Sequence, residues 1–199
     1  DAKVQVVAYD DKGGAMAAAR LWWLLRWVGH DAVAVLDGGW PQWQKNGYPV
    51  ASSMESRKPR VFTSRVRNDL LLSSADVLKI LRNPEFRLID SRSTDRYRGK
   101  NETIDPVAGH IPGALSAPFA GNLGSDGLFL SPNDLNARFQ DLLGDIPPER
   151  AVFYCGSGVT AAHNLLALAH AGLGDARLYA GSWSEWITNT NHPIAKGSC

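Results

Sequence analysis

The chain has 199 residues, of which 44% are hydrophobic and 21% are charged, and its net charge is +1. This length accommodates one or two domains with real hydrophobic cores. The nearly neutral charge gives no electrostatic basis for binding nucleic acid or an anionic membrane. The two cysteines, Cys155 and Cys199, lie far apart and predict no disulfide framework, which favours a reducing compartment such as the cytoplasm. The longest apolar stretch, residues 21–28, is interrupted by Arg26 and is too short to cross a bilayer.

The first 50 residues predict one strand–helix–strand unit. Runs of β-forming residues indicate the strands, and an alanine- and tryptophan-rich stretch between them indicates the helix. The predicted elements are a strand at 4–9, a helix at 15–28, a strand at 33–36, a turn at 37–41 and a short irregular piece at 42–49. The tryptophans of this helix are interpreted as a core or interface surface.

Residues 51–69 are polar, basic and broken by proline, which is typical of an interdomain linker. Residues 70–199 predict a second and larger unit. Its expected elements are a helix capped by Ser73 and ending near 81, a strand at 86–90, a long loop at 93–108, a short strand at 115–119, a helix from 131 to about 143, a strand at 152–155, a helix ending near 171 and a strand at 177–180. Strands that alternate with helices imply an α/β fold with a doubly wound, largely parallel sheet flanked by helices.

The end of the strand at 152–155 carries the residue best suited to chemistry. Cys155 begins the loop Cys155-Gly156-Ser157-Gly158-Val159-Thr160 between a buried strand and a helix, where α/β folds form their ligand sites. Backbone N–H groups and the positive end of the helix dipole favour an anion there, and therefore the thiolate form of a cysteine. The glycines let the backbone curl around the sulfur without Cβ clashes. We predict that Cys155 is a nucleophile rather than a structural cysteine.

The same order of features occurs at both ends of the chain. Val-Ala-Tyr-Asp10 matches Val-Phe-Tyr-Cys155, and the Gly-Gly-Trp40 turn matches Gly-Ser-Trp183. Two copies of one strand–helix–strand module are the economical interpretation. Asp10 stands at the cysteine position of the first copy and cannot attack sulfur, so the first copy is predicted to be non-catalytic.

The first copy is much shorter than the second ahead of this loop. Nine residues precede Asp10, whereas residues 70–154 precede Cys155 in the second unit. We therefore expect residues 1–50 to be the C-terminal half of an inactive domain and residues 70–199 to be the catalytic domain. A partial sheet exposes edges and apolar faces. Residues 1–50 are thus expected to pack against a separate chain supplying the missing part of the first domain, a symmetry mate or the second domain.

The second unit contains five short motifs. They are Asp90-Ser91-Arg92, Arg96-Tyr97-Arg98-Gly99, Gly109-His110-Ile111-Pro112-Gly113-Ala114, Cys155-Gly156-Ser157-Gly158-Val159-Thr160-Ala161 and Gly181-Ser182-Trp183-Ser184-Glu185-Trp186. Together they resemble the tandem-domain rhodanese sulfurtransferases, the family of the 3-mercaptopyruvate and thiosulfate sulfurtransferases. The resemblance covers nearly the whole chain and implies a rhodanese-like fold in tandem repeat, with the first repeat incomplete.

The resemblance implies a ping-pong sulfur transfer that needs neither cofactor nor metal. Cys155 takes the sulfane sulfur of 3-mercaptopyruvate as a persulfide and passes it to a thiol, thioredoxin or cyanide. An anion-holding site is expected from the loop N–H groups of Gly156, Ser157, Gly158, Val159 and Thr160. Arg96 matches the family's substrate arginine and is expected to hold the donor carboxylate as a bidentate fork. Arg98 faces either substrate or solvent.

Alternatives stay open for the donor and for the role. Neutral residues at Gly156 and Ser157 resemble the mercaptopyruvate enzymes, because thiosulfate-preferring members usually carry basic residues there. A second substrate arginine of the mercaptopyruvate enzymes is missing from residues 102–108, however, so thiosulfate remains the alternative donor. A non-enzymatic persulfide carrier or rhodanese-like regulatory module is a further alternative. A cysteine phosphatase or arsenate reductase is disfavoured, since Ala161 stands where those enzymes need an arginine.

The remaining polar residues of the motifs have structural interpretations. Arg92 is expected to pair with Asp90 or with a buried carbonyl, and His110 lies in a turn. His163 and His170 are one heptad apart on the predicted helix, without the cysteine or carboxylate cluster that a metal site needs. Cys199 is interpreted as a terminal thiol without a role.

Overall fold

The computed structural model describes residues 3–52, 54 and 56–197, so Cys199 lies outside the described residues. Its helices and strands are β1 Val6–Ala8, α1 Ala17–Trp27, β2 Val33–Val35, α2 Gly39–Lys45, β3 Leu71–Leu72, α3 Ser74–Ile80, β4 Arg87–Asp90, α4 Thr94–Tyr97, β5 Leu115–Ser116, α5 Pro132–Leu143, β6 Ala151–Tyr154, α6 Val159–His170, β7 Arg177–Tyr179 and α7 Ser182–Trp186. Short 3-10 turns cover Asn68–Leu70, Phe119–Asn122 and Pro148–Arg150.

The larger sheet has five strands in the order β3-β7-β6-β4-β5, and every neighbouring pair is parallel. β1 and β2 form a separate parallel pair. β6 is the central strand, and all four of its residues are buried. This explains its continuous apolar sequence, because a central parallel strand has both faces covered. The predicted α/β fold with a parallel sheet and flanking helices is confirmed.

Two hydrophobic cores lie on opposite faces of this sheet, and β6 divides its side chains between them. Phe153 packs in the core formed with α1, α5 and α6, whereas Val152 and Tyr154 pack in the core formed with α3 and α7. Such alternation follows from the two-residue period of a strand. Cys155 belongs to the same core as Phe153. The cysteine therefore lies on the face of the sheet that α6 and α1 cover.

The first unit packs against the second through α1 and α6. Ala19 of α1 is completely buried in the same cluster as Ala161 of α6, and the small side chains allow a close approach. Arg26 of α1 also forms an ion pair with Asp175 beyond α6, with 2.7 Å between Nη2 and Oδ1. Residues 1–50 were expected to pack against a separate chain, a symmetry mate or the second domain. In the structure they pack against the second unit of the chain. β1 keeps an exposed apolar face, because Val7 is 54% exposed.

Two short helices contradict the predictions for their segments. Residues 37–41 were expected to be a turn and 42–49 irregular, but Gly39–Lys45 is helical. Pro41 lies in the first turn of this helix, where its missing N–H costs nothing. The long loop at 93–108 contains helix α4, which is anchored by buried Tyr97, whose hydroxyl donates to the carbonyl oxygen of Ala114 at 2.7 Å. The prediction for α2 was wrong because a proline is compatible with a helix only in its first turn. The prediction for α4 was wrong because this helix is held by a tertiary contact that a local pattern does not show.

The segment between the two units runs along the surface. Residues 56–66 carry no regular secondary structure, and most of them are exposed. Arg65 and Arg67 donate their backbone N–H groups to the last carbonyls of α1, those of Val28 and Trp27, both at 2.8 Å. The predicted cap of α3 is present, since Ser73 and Asp76 exchange side-chain-to-backbone hydrogen bonds. Across the described ranges, no helix is both long and apolar enough to traverse a bilayer.

Candidate active site

Cys155 directly follows β6 and is only 2% exposed. Its backbone N–H donates to Ser182 Oγ at 3.1 Å, and its carbonyl accepts the N–H of Trp183 at 3.0 Å. Ser182 has φ 56°, a left-handed conformation that is uncommon for a residue with a side chain. The beginning of α7 therefore holds the backbone of Cys155 on both sides.

The loop after Cys155 offers backbone donors that no protein atom occupies. Within residues 3–52, 54 and 56–197, no protein acceptor is found for the N–H groups of Gly156, Ser157, Gly158, Val159 and Thr160. We call these five groups the donor ring. At Gly158, φ is 75° and an added Cβ would stand 2.6 Å from the carbonyl oxygen of Ala180, so only glycine fits. The donor ring lies at the N-terminus of α6, where the helix dipole also favours negative charge.

The corresponding loop of the first unit contains its own anion. Asp10 Oδ1 accepts the N–H groups of Lys12 at 2.9 Å and Gly14 at 2.8 Å. Asp10 Oδ2 accepts those of Met16 at 3.1 Å and Ala18 at 3.0 Å. Burial alone would raise the pKa of Asp10, but the four N–H groups together lower it. In this loop a carboxylate therefore satisfies the backbone donors that precede and begin the helix.

The hydrogen bonds behind the two loops also correspond. The N–H of Trp40 donates to the carbonyl of Asp10 at 2.9 Å, as that of Trp183 does to Cys155. Gly39 has φ 57° and stands where the second unit has Ser182. A glycine adopts this conformation without strain. The serine has a hydroxyl that reaches the cysteine N–H, which a glycine cannot do.

Arg96, the residue expected to bind the donor carboxylate, lies beside the loop. Its Nη1 is 3.5 Å from the position that a Cβ on Gly156 would take. Its Nε lies 2.9 Å and 3.0 Å from the two oxygens of Glu102, and its Nη2 donates to Asp105 Oδ2 at 2.8 Å. Two of the three guanidinium nitrogens are therefore engaged with carboxylates. Nη1 is the nitrogen without a hydrogen bond among the described residues.

Behind Arg96 lies a buried ionic network. Arg92 Nη2 is 2.6 Å from Asp90 Oδ2 and 2.6 Å from the carbonyl oxygen of Gly109, which confirms the expected structural pairing. Arg92 Nη1 also approaches Glu102, at 3.4 Å. Two guanidinium cations thus face three carboxylates, those of Asp90, Glu102 and Asp105. This side of the loop carries one negative charge in excess.

Two other predicted substrate-binding side chains, those of Ser157 and Thr160, belong to the loop and to the helix that follows it. Ser157 is exposed at its mouth, and Thr160 is half-buried at the beginning of α6. Arg98 is exposed, and its carbonyl accepts the N–H of Gly197 at 3.0 Å, so its backbone packs against the C-terminal segment. The structure therefore places Arg96 beside the cysteine loop, whereas the contact observed for Arg98 is with the C-terminal segment.

Sequence reasoning missed Arg20, a residue of α1 that reaches the cysteine loop from the first unit. Its Nη1 donates to the carbonyl of Gly158 at 3.3 Å, and its guanidinium carbon is 5.0 Å from the ring centroid of Trp23. Burial lowers the pKa of Arg20, opposed by the charge of Cys155, and arginine remains a cation at neutral pH. In the sequence, 138 positions separate it from Gly158, and no local pattern marks it.

Ser184 and Asp105 were also missed. Ser184 Oγ lies 2.7 Å from the carbonyl oxygen of Gly156 and 2.8 Å from Asp105 Oδ1. These contacts connect the cysteine loop to the carboxylates around Arg96. The sequence did offer a signal for Ser182, because Gly39 stands at its position when the two Trp-containing turns are aligned. A change from glycine to serine at a left-handed position calls for a compensating contact.

The two buried histidines of this domain are structural, as interpreted from the sequence. His110 Nδ1 is 2.7 Å from the carbonyl oxygen of Tyr97, its ring stacks on Tyr97, and burial lowers its pKa. His163 stacks on Phe129 at 4.6 Å, and burial lowers its pKa to about 4. His163 is therefore neutral at neutral pH. Among the residues that the structure covers, no group of three His, Cys, Asp or Glu could hold a metal ion.

A parallel α/β sheet with a cysteine loop at the end of its central strand is typical of a rhodanese domain, and the comparison with known families shows the same class. The family described as "Rhodanese-like domain" matches residues 1–46 and 73–189. The chain belongs to the rhodanese family, which confirms the resemblance found in its motifs.

The relatives of the chain carry sulfurtransferase names. A "Probable 3-mercaptopyruvate sulfurtransferase" of Pseudomonas aeruginosa is 51% identical over 97% of this chain and 68% of that protein. A "Thiosulfate sulfurtransferase" of Rattus norvegicus is 41% identical over 92% of this chain and 62% of that protein. The structure of "3-mercaptopyruvate sulfurtransferase from Leishmania major" is 31% identical with a TM-score of 0.80, over 96% of this chain and 53% of that one. The chain thus spans between about half and two thirds of the length of these relatives.

Proposed function

We propose that the chain is a sulfurtransferase that moves the sulfur of 3-mercaptopyruvate, as the sulfane sulfur of a Cys155 persulfide, to an acceptor. The observation that carries this proposal is the donor ring, five backbone N–H groups that find no acceptor among the described residues and lie next to a buried cysteine. A structural cysteine needs no such donors, whereas a thiolate and a persulfide anion both do. The names of the relatives support the same reaction class.

The first half-reaction forms a sulfur–sulfur bond and breaks a carbon–sulfur bond. The Cys155 thiolate attacks the sulfur of 3-mercaptopyruvate, and the departing carbon keeps the bonding electron pair. That carbon receives the proton of the donor thiol and leaves as the methyl group of pyruvate. The Cys155 persulfide retains the negative charge on its terminal sulfur, where the donor ring can stabilise it.

The second half-reaction regenerates the cysteine. A thiol attacks the terminal sulfur, the new persulfide leaves on the acceptor, and Cys155 departs as a thiolate that the donor ring again stabilises. A small thiol, a thioredoxin or cyanide fits this chemistry, because each is a nucleophile toward sulfur. Exposure of Ser157 at the mouth of the loop supports approach of an acceptor from solvent.

Donor recognition is proposed to centre on Arg96. Glu102 and Asp105 hold the guanidinium in place, and Nη1 next to Gly156 remains for the donor carboxylate. A bidentate contact needs two guanidinium nitrogens, and Nη2 is bonded to Asp105. Arg96 therefore offers the donor a single hydrogen-bonding nitrogen as long as Asp105 stays in place. The hydroxyls of Ser157 and Thr160 are proposed to donate hydrogen bonds near the leaving group.

Thiosulfate is the second candidate donor. The relative from Rattus norvegicus carries that name, and the pairing of Arg96 with Asp105 weakens the case for a dedicated carboxylate site. The ratio of kcat/KM for 3-mercaptopyruvate to that for thiosulfate, measured on one preparation, decides between them. A ratio above one supports our first choice, and a ratio below one replaces it by thiosulfate.

The two units are proposed to be copies of one module, with an inactive part at 1–50, a linker at 51–69 and a catalytic domain at 70–199. Support comes from the matching hydrogen bonds of Trp40 and Trp183 and from the matching φ angles of Gly39 and Ser182. Under this proposal Asp10 and Cys155 occupy equivalent positions.

Replacing the nucleophile tests the proposed function directly. Cys155→Ser is expected to abolish pyruvate release and the gain of one sulfur atom seen by intact-mass spectrometry after donor treatment. Cys199→Ser is the matched control and is expected to retain both. Pyruvate release by Cys155→Ser would overturn the assignment. A wild-type chain that accepts sulfur from another persulfide but releases neither pyruvate from 3-mercaptopyruvate nor sulfite from thiosulfate would instead be a persulfide carrier.

A further inference from the structure

Arg20 is the one arginine of α1 that contacts the cysteine loop of the other unit. It stands over Trp23 at 5.0 Å, and its Nη1 donates to Gly158 at 3.3 Å. Arg26, two turns later on the same helix, stands over Trp22 at the same distance of 5.0 Å but pairs with Asp175. The two arginines thus share helix, aromatic support and partner domain. They differ in their hydrogen-bond acceptors, since Arg20 donates to a loop carbonyl and Arg26 donates to a carboxylate.

Three loop carbonyls are held from outside the loop. The carbonyl of Cys155 accepts the N–H of Trp183, and that of Gly156 accepts the N–H of Ser184 at 2.9 Å. The carbonyl of Gly158 accepts the side chain of Arg20.

The described peptide bonds are not cis, so each N–H that follows a held carbonyl points in the direction opposite to that carbonyl, within the same peptide plane. The N–H groups turned in this way are those of Gly156, Ser157 and Val159, and all three belong to the donor ring. Two of the three outer contacts come from the catalytic domain. Arg20 alone comes from the first unit.

Arg20 also differs from the other arginines of the site in charge balance. Arg92 and Arg96 are paired with carboxylates that outnumber them. Within the described part of the chain, Arg20 pairs with no carboxylate, although it is half-buried. A partly desolvated cation is stabilised by a nearby anion. The anion that the catalytic cycle would place there is the thiolate or persulfide of Cys155.

We infer that Arg20 is a positioning residue for sulfur transfer: it orients the Gly158–Val159 peptide toward the sulfur and adds a positive charge on that side of the loop. The first unit thereby contributes to the active site of the second, although its own loop position is an aspartate. This inference rests on the proposed function for its role in turnover. The contact of Arg20 with the loop can be tested without any sulfur donor.

The test compares the alkylation of Cys155 by anionic iodoacetate and by neutral iodoacetamide in the full chain. In Arg20→Gln, the iodoacetate-to-iodoacetamide rate ratio is expected to fall about 3- to 10-fold, because a nearby cation is lost. The pH midpoint of iodoacetamide alkylation is expected to rise in the same variant. Arg20→Lys, which keeps the charge, is expected to restore most of the ratio. Arg26→Gln is the matched control for the lost interface contact and is expected to leave the ratio unchanged.

Sulfur transfer gives the second measurement. The rate constant of persulfide formation is expected to fall about 10-fold in Arg20→Gln, less than the loss expected when a direct oxyanion donor is removed. An unchanged alkylation ratio in Arg20→Gln, or an equal fall in Arg26→Gln, would overturn the inference. If the wild-type chain forms no persulfide from either donor, the proposed function fails, whereas the alkylation ratio still shows whether Arg20 acts on Cys155.

Discussion

The carboxylate of Asp10 is expected to be a main stabilising element of the first unit, and Asp10→Asn tests this. Its two oxygens accept four backbone N–H groups at 2.8–3.1 Å. An asparagine keeps one acceptor oxygen and presents an NH2 group to the other pair of donors. Two N–H groups then lose their acceptor at roughly 1 kcal/mol each, after allowance for partial exposure to water. The lost negative charge at the beginning of α1 adds up to about 1 kcal/mol, so the total is about 2–3 kcal/mol.

Urea unfolding followed by tryptophan fluorescence measures this loss, since α1 carries three tryptophans. The neighbouring Asp11→Asn is the control, because Asp11 is 76% exposed and only approaches Lys12 at 3.8 Å. The pKa of Asp10 is lowered in the fold, so its contribution is present above the unfolded carboxyl value of about 3.9 and is lost as pH falls through the folded value. The difference between wild type and Asp10→Asn should thus persist from pH 7 to about pH 4 and shrink below it. Equal unfolding midpoints for Asp10→Asn and Asp11→Asn at pH 7 would refute the reasoning.

Two further predictions concern the surroundings of Cys155. Ser182→Ala, which leaves the buried Cys155 N–H without an acceptor, is expected to destabilise the fold by about 1–3 kcal/mol in urea unfolding. Ser182→Gly should be about 1 kcal/mol less costly, because it relieves the left-handed strain, and the reverse order would contradict this view. Asp105→Asn removes a carboxylate from Arg96 and is expected to lower KM for 3-mercaptopyruvate about 3- to 10-fold. Asp95→Asn on the exposed side of α4 serves as its control, and an unchanged KM in Asp105→Asn would exclude competition between Asp105 and the donor.

The sequence was sufficient for features that depend on local pattern. The β6 strand could be predicted because its residues are all apolar and a glycine loop follows. Residues 132–143 could be predicted because Ser131 and Pro132 mark the beginning of a helix and Gly144 marks its end. The same kind of evidence failed at α2, because a proline within a helix is unfavourable except in the first turn, and the position of the first turn was not known.

The cross-unit contacts could not be predicted for a different reason. Arg20 and Gly158 are brought together by the packing of α1 on α6. The hydrophobic pattern of α1 shows that the helix packs against something, but it does not specify which helix or in which orientation. Asp105 has no periodic or motif context, so its pairing with Arg96 depends on the path of an irregular loop. The motif identified Arg96 as a substrate residue. It could not show that two carboxylates already hold two of its nitrogens.

Comparison of the two loops gives a physical reason for the difference between Asp10 in one and Cys155 in the other. The carboxylate oxygens of Asp10 stand two bonds beyond Cβ, and there they meet four backbone N–H groups. The sulfur of a cysteine stands only one bond beyond Cβ, so Cys155 alone does not extend as far. In a persulfide the terminal sulfur also stands two bonds beyond Cβ, with an S–S bond of about 2.05 Å. The Asp10 loop therefore has the form of a permanently occupied anion site. Under the proposed function, the terminal sulfur of the Cys155 persulfide extends toward the donor ring, for which the described residues supply no acceptor.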